Sequence, residues 1–414
     1  MSMTLIKLVC DARGKAVVTG FRLGITLLMY WVFVSPLHGH EVYHEVGVQQ
    51  RQFVHEPSNT FQKSSYSALS LNSFYSHSED DQLWAAELWL RADQHDKERN
   101  HLDIRELYWL HYADQYEWQV GVARVFWGVT ESAHLVDVIN QTDYLEGLDA
   151  EDKLGQAMIH YTQWVDNGQV EFFVLPHFNE REFYGEQHRF ALPFDVSEQT
   201  LYQSSAKQQH IDMALRISQT WQDLDWSING FRGTNRDVQF LSSDNGMTPY
   251  YGQMEQLGAT LQYLMGAWIV KGEFLLRRTL SDPENQIKRA DIRAFVAGFE
   301  YSQIGVFDSQ YDLGYLLEYQ YDSRSRQQVL GQNDVFAGMR LALNDADSSE
   351  IIVGVLHDVS DQSQSMRLEG SMRLGEQTKV EVAAYKFKSK GDNYLQQLEN
   401  QDVIELNLYW YFSH

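Results

Sequence analysis

The sequence predicts an all-β chain: an antiparallel transmembrane β-barrel of about 16 strands, with 18 as the alternative count. Three observations predict it. Apolar and polar residues alternate at period two in runs of about ten residues, the pattern of strands with one greasy and one wet face. The connections between these runs are short and long in turn, as in a meander with two unlike ends. The chain also finishes on an alternating run, Ile404 to Phe412, that places an aromatic beside its terminus.

Composition narrows the class. The 414 residues carry 33 Lys and Arg against 57 Asp and Glu, a formal charge of −24. So acidic a chain repels a phosphate backbone, which argues against nucleic acid as a partner. Aromatics at 13% and charged residues at 22% exclude global disorder. No Pro-, Gly- or Ser-rich linker divides the chain, although a soluble protein of this length usually splits into several domains.

Residues 1–39 read as a signal peptide. Lys7, Arg13, Lys15 and Arg22 precede an apolar stretch from Leu23 to Val34, and a small residue, Gly39, offers a cleavage point. The stretch is shorter than the roughly 20 residues that a membrane-crossing helix needs. Cleavage there removes Cys10, the one cysteine, and with it any disulfide framework or thiolate metal site. Residues 40–80 form an N-terminal lead-in that either plugs the lumen or adds strands, Tyr66 to Tyr75 being the run with strand character. His40, Glu41, His44 and Glu45 read as solvated tail rather than as a metal cluster. The barrel itself is expected over residues 81–414.

Within it, alternation places strands at 82–92, 103–112, 116–126, 155–165, 169–176, 209–219, 225–235 and 253–264. Further strands follow at 267–277, 290–301, 311–322, 333–345, 349–359, 364–375, 378–389 and 401–413. Residues 211–218 are a clear case: Ile211, Met213, Leu215 and Ile217 alternate with Asp212, Ala214, Arg216 and Ser218. Short turns at 113–115, 166–168 and 265–266 alternate with long segments at 127–154, 177–208 and 236–252. The prolines agree, since none interrupts a strand interior, where it would delete a ladder hydrogen bond.

Alternation alone also suits a secreted soluble β-sandwich. Three features favour the membrane. Aromatics gather at strand ends, as in Trp109, Trp118, Trp164 and Trp268, where a bilayer has its two interfaces. Closure satisfies every strand edge without covering elements. The terminal strand resembles the assembly signal of bacterial outer-membrane barrels, which makes the barrel assembly machinery a partner. It departs from that signal in placing Phe412 two residues before the end.

One segment carries a specific signature. Gly121 is followed by Trp127-Gly128, then by Asp137-Val138-Ile139-Asn140 and Asp143. This resembles a family of Gram-negative outer-membrane proteins with a G-R-Q-x-x-x-W-G segment before a D-V-I-N-P-x-D loop. That family looks, in architecture, like the phosphate-selective and alginate-export porins. Val122-Ala123 stands where the family has Arg-Gln, and Gln141 where it has proline. The clear match covers about a tenth of the chain. The resemblance implies an outer-membrane location and a porin-like barrel; the family has no settled substrate. Trp127-Gly128 marks the end of a strand, and residues 135–154 have the composition for a short helix. Trp127, Gly128, Asp137, Asn140 and Asp143 are therefore the residues expected to fix a loop that either folds into the lumen and narrows it or caps the rim, tied down by side-chain-to-backbone bonds.

With the apolar face outward, the lumen receives Arg216, Lys271, Glu273, Arg277, Arg340, Arg367, Glu369, Arg373 and Glu405, among others. Basic and acidic residues on that face nearly balance, so the excess charge belongs to loops and turns. Such a wall suits passive diffusion of small hydrophilic solutes. Arg340, Arg367 and Arg373 either form a basic ladder for anions or pair with Glu369 and cross-strand carboxylates. The acidic loops suggest divalent cations bridging to lipopolysaccharide.

Chemical motifs are scarce. There is no phosphate-cradling glycine loop and no G-x-S-x-G, and the one H-E-x-x-H match, His40-Glu41-Val42-Tyr43-His44, falls in the run read as solvated tail. Neither enzymatic activity nor a cofactor is expected, although His111, His160 and Ser218 would be available to a rim enzyme. The other reading is a closed barrel that partners a periplasmic or export complex. Sequence leaves a homotrimer and a monomer both open.

Overall fold

A computed structural model describes residues 9–10, 16–17 and 40–413, except 149, 244 and 245. The expected signal peptide lies, but for those four residues, outside the described residues. Among the described residues, eighteen antiparallel strands close into one barrel. They are β1 His40–Phe53, β2 Ser65–Glu79, β3 Gln82–Asp93, β4 His101–Tyr112, β5 Tyr116–Ala123 and β6 Gln156–Val165. Next come β7 Gly168–Leu175, β8 Asp212–Trp221, β9 Leu224–Thr234, β10 Gln253–Met265, β11 Trp268–Thr279 and β12 Ala290–Gln303. The remainder are β13 Asp312–Asp322, β14 Asn333–Ala342, β15 Glu350–Asp358, β16 Gln364–Arg373, β17 Thr378–Lys388 and β18 Val403–Ser413.

The count is eighteen, the alternative that the sequence allowed beside about sixteen, because residues 40–79 are wall. Neither plug nor tail, they form β1 and β2, and β18 closes the ring on β1 from Val403↔Phe53 to Ser413↔Tyr43. His40 stacks on His77 of β2 with centroids 4.1 Å apart, and His44 Nδ1 hydrogen-bonds Ser73 Oγ at 2.9 Å. Sequence hides β1 because both its faces are polar toward the outer end. Gln49 and Arg51 face the lumen while Gln50 and Gln52 face out, so the period of two has no apolar partner to stand against. Deleting His40–Phe53 leaves β2 and β18 with bare edges, which a bilayer does not tolerate. The truncated chain is expected to lose the heat-modifiable gel migration of a folded barrel altogether; a normal folded band would contradict the closure.

Turns at one end are short, as at Asn167, Gln222 and Gly266, all with positive φ. Segments at the other end are long, above all 124–155 and 176–211. Exposed apolar side chains such as Leu257, Phe274, Met339, Leu368 and Leu406 occupy alternate positions and define the outward face. Aromatic rings cluster at both rims. Trp118 and Tyr161 meet at 4.7 Å and Trp268 and Tyr301 at 4.6 Å near the short turns, and Phe295 and Tyr321 at 5.6 Å near the long loops. Two bilayer interfaces call for two such girdles.

Candidate functional site

The site is built where β5 ends. Expected to run to 126, the strand stops at Ala123, and the chain leaves the wall for the lumen. Gly121 sits at φ 141, and a Cβ there would lie 2.1 Å from the Leu107 carbonyl oxygen of β4, so only glycine allows this approach. No helix forms over 135–154 among the described residues; side chains satisfy the backbone instead. Asp137 Oδ1 accepts the N–H groups of Trp127 at 2.7 Å and Gly128 at 2.9 Å. Asn140 accepts from the Val125 N–H at 2.9 Å and donates to the Ala123 and Leu154 carbonyls, both at 2.8 Å. It thus pins together the two ends of the inserted segment.

Apolar packing fixes one flank. Trp127, Val136, Val138 and Ile139 bury themselves against the inward side chains Met158, Phe173, Ala214, Phe231 and Met254 of β6 to β10. These residues fill that side of the barrel with an ordinary hydrophobic core.

Wall carboxylates hold the segment's leading turn. Glu273 on β11 is 2% exposed, and its carboxylate accepts Val129 N–H at 2.7 Å, Thr130 N–H at 3.1 Å and Val136 N–H at 3.2 Å; the Thr130 hydroxyl is shared between it, at 2.9 Å, and the Ala133 carbonyl, at 2.6 Å. Glu318 on β13 accepts the N–H groups of Glu131 at 3.0 Å and Ser132 at 2.9 Å, together with the Ser132 hydroxyl. Lys271 pairs with Glu131 at 2.8 Å and with Glu300.

Arginines hold the other end. Arg105 on β4 donates to Asp143 at 2.8 Å, and Arg91 on β3 grips both oxygens of Glu146 at 2.5 to 2.9 Å. Arg51 on β1 donates to the Glu146 carbonyl at 3.0 Å, and Arg99 to the Leu145 carbonyl at 3.0 Å. Since β3 and β12 stand nine places apart in an eighteen-strand ring, anchors on β3 and around β12 lie diametrically opposed. The segment crosses the lumen.

Burial would raise the Glu146 carboxyl, but Arg91 and His101 overcome it and hold it well below the usual carboxylate range. Burial and the charge of Glu146 in turn push the Asp143 carboxyl up to about 7, against the pull of Arg105. His101, Asp103 and Asp143 bring one donor atom each within 4.8 Å of one another, the spacing of a metal cluster. Arg105 already occupies Asp143 there, and the neighbouring Arg91 occupies Glu146.

All nine residues assigned to the lumen lie on the face opposite the exposed apolar side chains, but they are scattered around the ring. Glu273 and Lys271 join the crossing segment, Glu405 pairs with Arg51 at 2.8 Å, and Arg216 lies 3.6 Å from Glu171. Arg277 pairs with Asp237 at 2.6 Å and Arg340 with Glu350 at 2.6 Å. Arg367 pairs with Glu369, and the Arg373 guanidinium sits 5.4 Å from the Tyr411 ring centroid. The three arginines considered for an anion ladder are thus engaged one by one.

Sequence reasoning missed Arg51, Arg105 and Arg124. Arg124 pairs with Glu87 and lies 3.3 Å from Glu106. A β-bulge opposite Glu87 and Leu88 puts consecutive residues, Arg105 and Glu106, on the lumen side of β4. The signal was present: two charged residues in succession inside an otherwise alternating run.

Neither family models nor curated proteins provide a match to this sequence. Solved structures match its fold. OpdO of Pseudomonas aeruginosa aligns with a TM-score of 0.52 at 11% identity, over 91% of this chain and 98% of that one. A BenF-like porin from Pseudomonas fluorescens gives 0.53 at 9% identity over 91% and 98%, and OccAB1 of Acinetobacter baumannii 0.54 at 8% over 90% and 96%. At such identities the likeness is one of fold. Among the described residues the chain is a closed eighteen-strand barrel, porin-like in fold.

Proposed function

We propose that this barrel is a non-enzymatic, passive channel for small hydrophilic solutes. One observation carries the reading. Opposite the apolar flank, between the crossing segment and β1 to β3 and β15 to β18, a polar cavity of about 390 Å³ remains. Arg91, Arg124, Arg367, Glu369, Lys379 and Glu381 are among its lining residues. A half-filled lumen with a charged, hydrated remainder suits a size-limited passage. Lipid, lipopolysaccharide and, through β18, the barrel assembly machinery are its proposed partners. Reconstituted barrels in planar bilayers test the reading: discrete open steps are expected, and persistent silence would favour a closed barrel serving as a partner protein.

Pairing sets the selectivity. Arg91 with Glu146, Arg367 with Glu369, and Lys379 with Glu381 at 2.7 Å leave little net field. At pH 8 the reversal potential in a potassium chloride gradient is expected within a few millivolts of zero, since cation and anion meet balanced charge. As the pH falls through about 7, Asp143 takes up a proton and Arg105 loses the nearer of its two carboxylate partners. The lumen then becomes more positive, and the reversal potential moves toward chloride. Asp143→Asn should show the low-pH value at every pH; a wild-type titration surviving in that variant would assign it to another group.

A further inference from the structure

The wall is not continuous where the segment turns inward. β4 pairs with β5 only from Leu107 to Tyr112, so the outer half of β4 has no partner strand on that side. The returning chain fills part of the gap: a Cβ on Gly155 would lie 2.2 Å from the Ile104 carbonyl oxygen. Above this point the 176–211 segment, which also reaches across to β1 and β18 through Phe190 and Arg189, helps to line a cleft of about 1130 Å³. Its floor is the outward apolar face of three strands, with Leu102 and Ile104 on β4, Val122 on β5 and Ala157 on β6. Its roof includes Phe183 and Phe194, whose rings both pack on Phe240, at 5.5 and 4.9 Å.

Floor and roof thus each carry apolar side chains within a mixed lining, and the floor is continuous with the outward apolar face. Its polar lining is strongly one-signed. Eight carboxylates, including Asp96, Glu182 and Asp195, stand against only Lys97, Arg181 and Lys207 as permanent cations. The apolar side chains suit a hydrocarbon tail, and the excess of carboxylates suits a positive head. We propose that this cleft, on the lipid-facing side of the outer rim, binds single-chain cationic amphiphiles, with the tail between floor and roof and the head among the carboxylates. The inference rests on the outward face touching lipid, but not on conduction through the lumen.

Photolabelling of the barrel in phosphatidylcholine vesicles tests it, using a dodecyltrimethylammonium whose tail carries a diazirine. Label is expected on peptides containing Ile104, Val122, Phe183 and Phe194. Excess dodecyltrimethylammonium should displace it, with dodecyl sulfate weaker by about tenfold or more. Ile104→Trp fills the cleft from a lipid-facing position and should cut that labelling at least about fivefold. Leu276→Trp, outward on β11, should leave it unchanged. Uniform labelling of all lipid-facing strands would overturn the proposal, as would indifference to Ile104→Trp or equal displacement by dodecyl sulfate. If the labelled barrel extracts into water without detergent, the membrane reading itself fails; a stable membrane barrel without selective labelling refutes the cleft alone.

Discussion

Deleting residues 132–150 is expected to raise single-channel conductance at least about twofold, because it removes a chain segment that runs between opposed walls of the lumen. The barrel should survive the loss. Its strand pairing is independent of the segment, with β5 held to β6 from Tyr116↔Gln163 to Ala123↔Gln156. Arg91 loses Glu146, Arg105 loses Asp143 and Glu318 loses Ser132, but they gain water in the widened lumen, so little desolvation cost remains. Conductance in symmetric potassium chloride reads the outcome, with heat-modifiable migration as the folding control. Unchanged conductance in a folded variant would place the narrowest point elsewhere and reduce the segment to a cap.

Glu273→Ala is expected to have the largest effect of any single substitution on the open state. One buried carboxylate accepts three backbone N–H groups from the segment's leading turn, and each donor left unsatisfied costs roughly 1–3 kcal/mol. Without that anchor, the turn at Val129 and Thr130 keeps its wall ties only through the neighbouring Glu131 and Ser132, to Glu318 and Lys271, and should detach intermittently. Open-channel noise should rise several-fold, with excursions toward the conductance of the 132–150 deletion. Glu273→Gln retains an acceptor oxygen without the charge and should lie between. Quiet, wild-type traces from Glu273→Ala would show that the apolar packing of Trp127 and Val136 holds the segment unaided.

How much of this was legible in sequence follows from the physics of each element. Strands such as β8 and β16 read clearly because Ile217 and Leu368 must face lipid while Arg216 and Glu369 must not. The first strand did not, since Gln50 and Gln52 put amides where the pattern needs apolar side chains. Trp127, Asp137 and Asn140 stood out as a motif, and their local bonds, within a few turns of chain, follow from residue type. The helix expected over 135–154 fails because the inward wall offers Phe173, Phe231 and Met254 for Val136, Val138 and Ile139 to pack against, which an extended chain meets better. The anchors Glu273 and Glu318 lie more than a hundred residues from the turn they hold. Nothing in a single sequence registers such a meeting; closure of the ring creates it.

The central claim is that the greasy sides of these strands face lipid and the charged sides enclose water. Adjacent residues on β16 test it most directly: Ser371 lines the polar cavity, while Met372 is exposed on the outward face. In a Cys10→Ser background, Ser371→Cys and Met372→Cys are reacted with a membrane-impermeant thiol reagent in intact vesicles. The account predicts labelling at position 371 at least about tenfold faster than at 372, since only one of two successive side chains meets water. Equal rates, or faster reaction at 372, would contradict it.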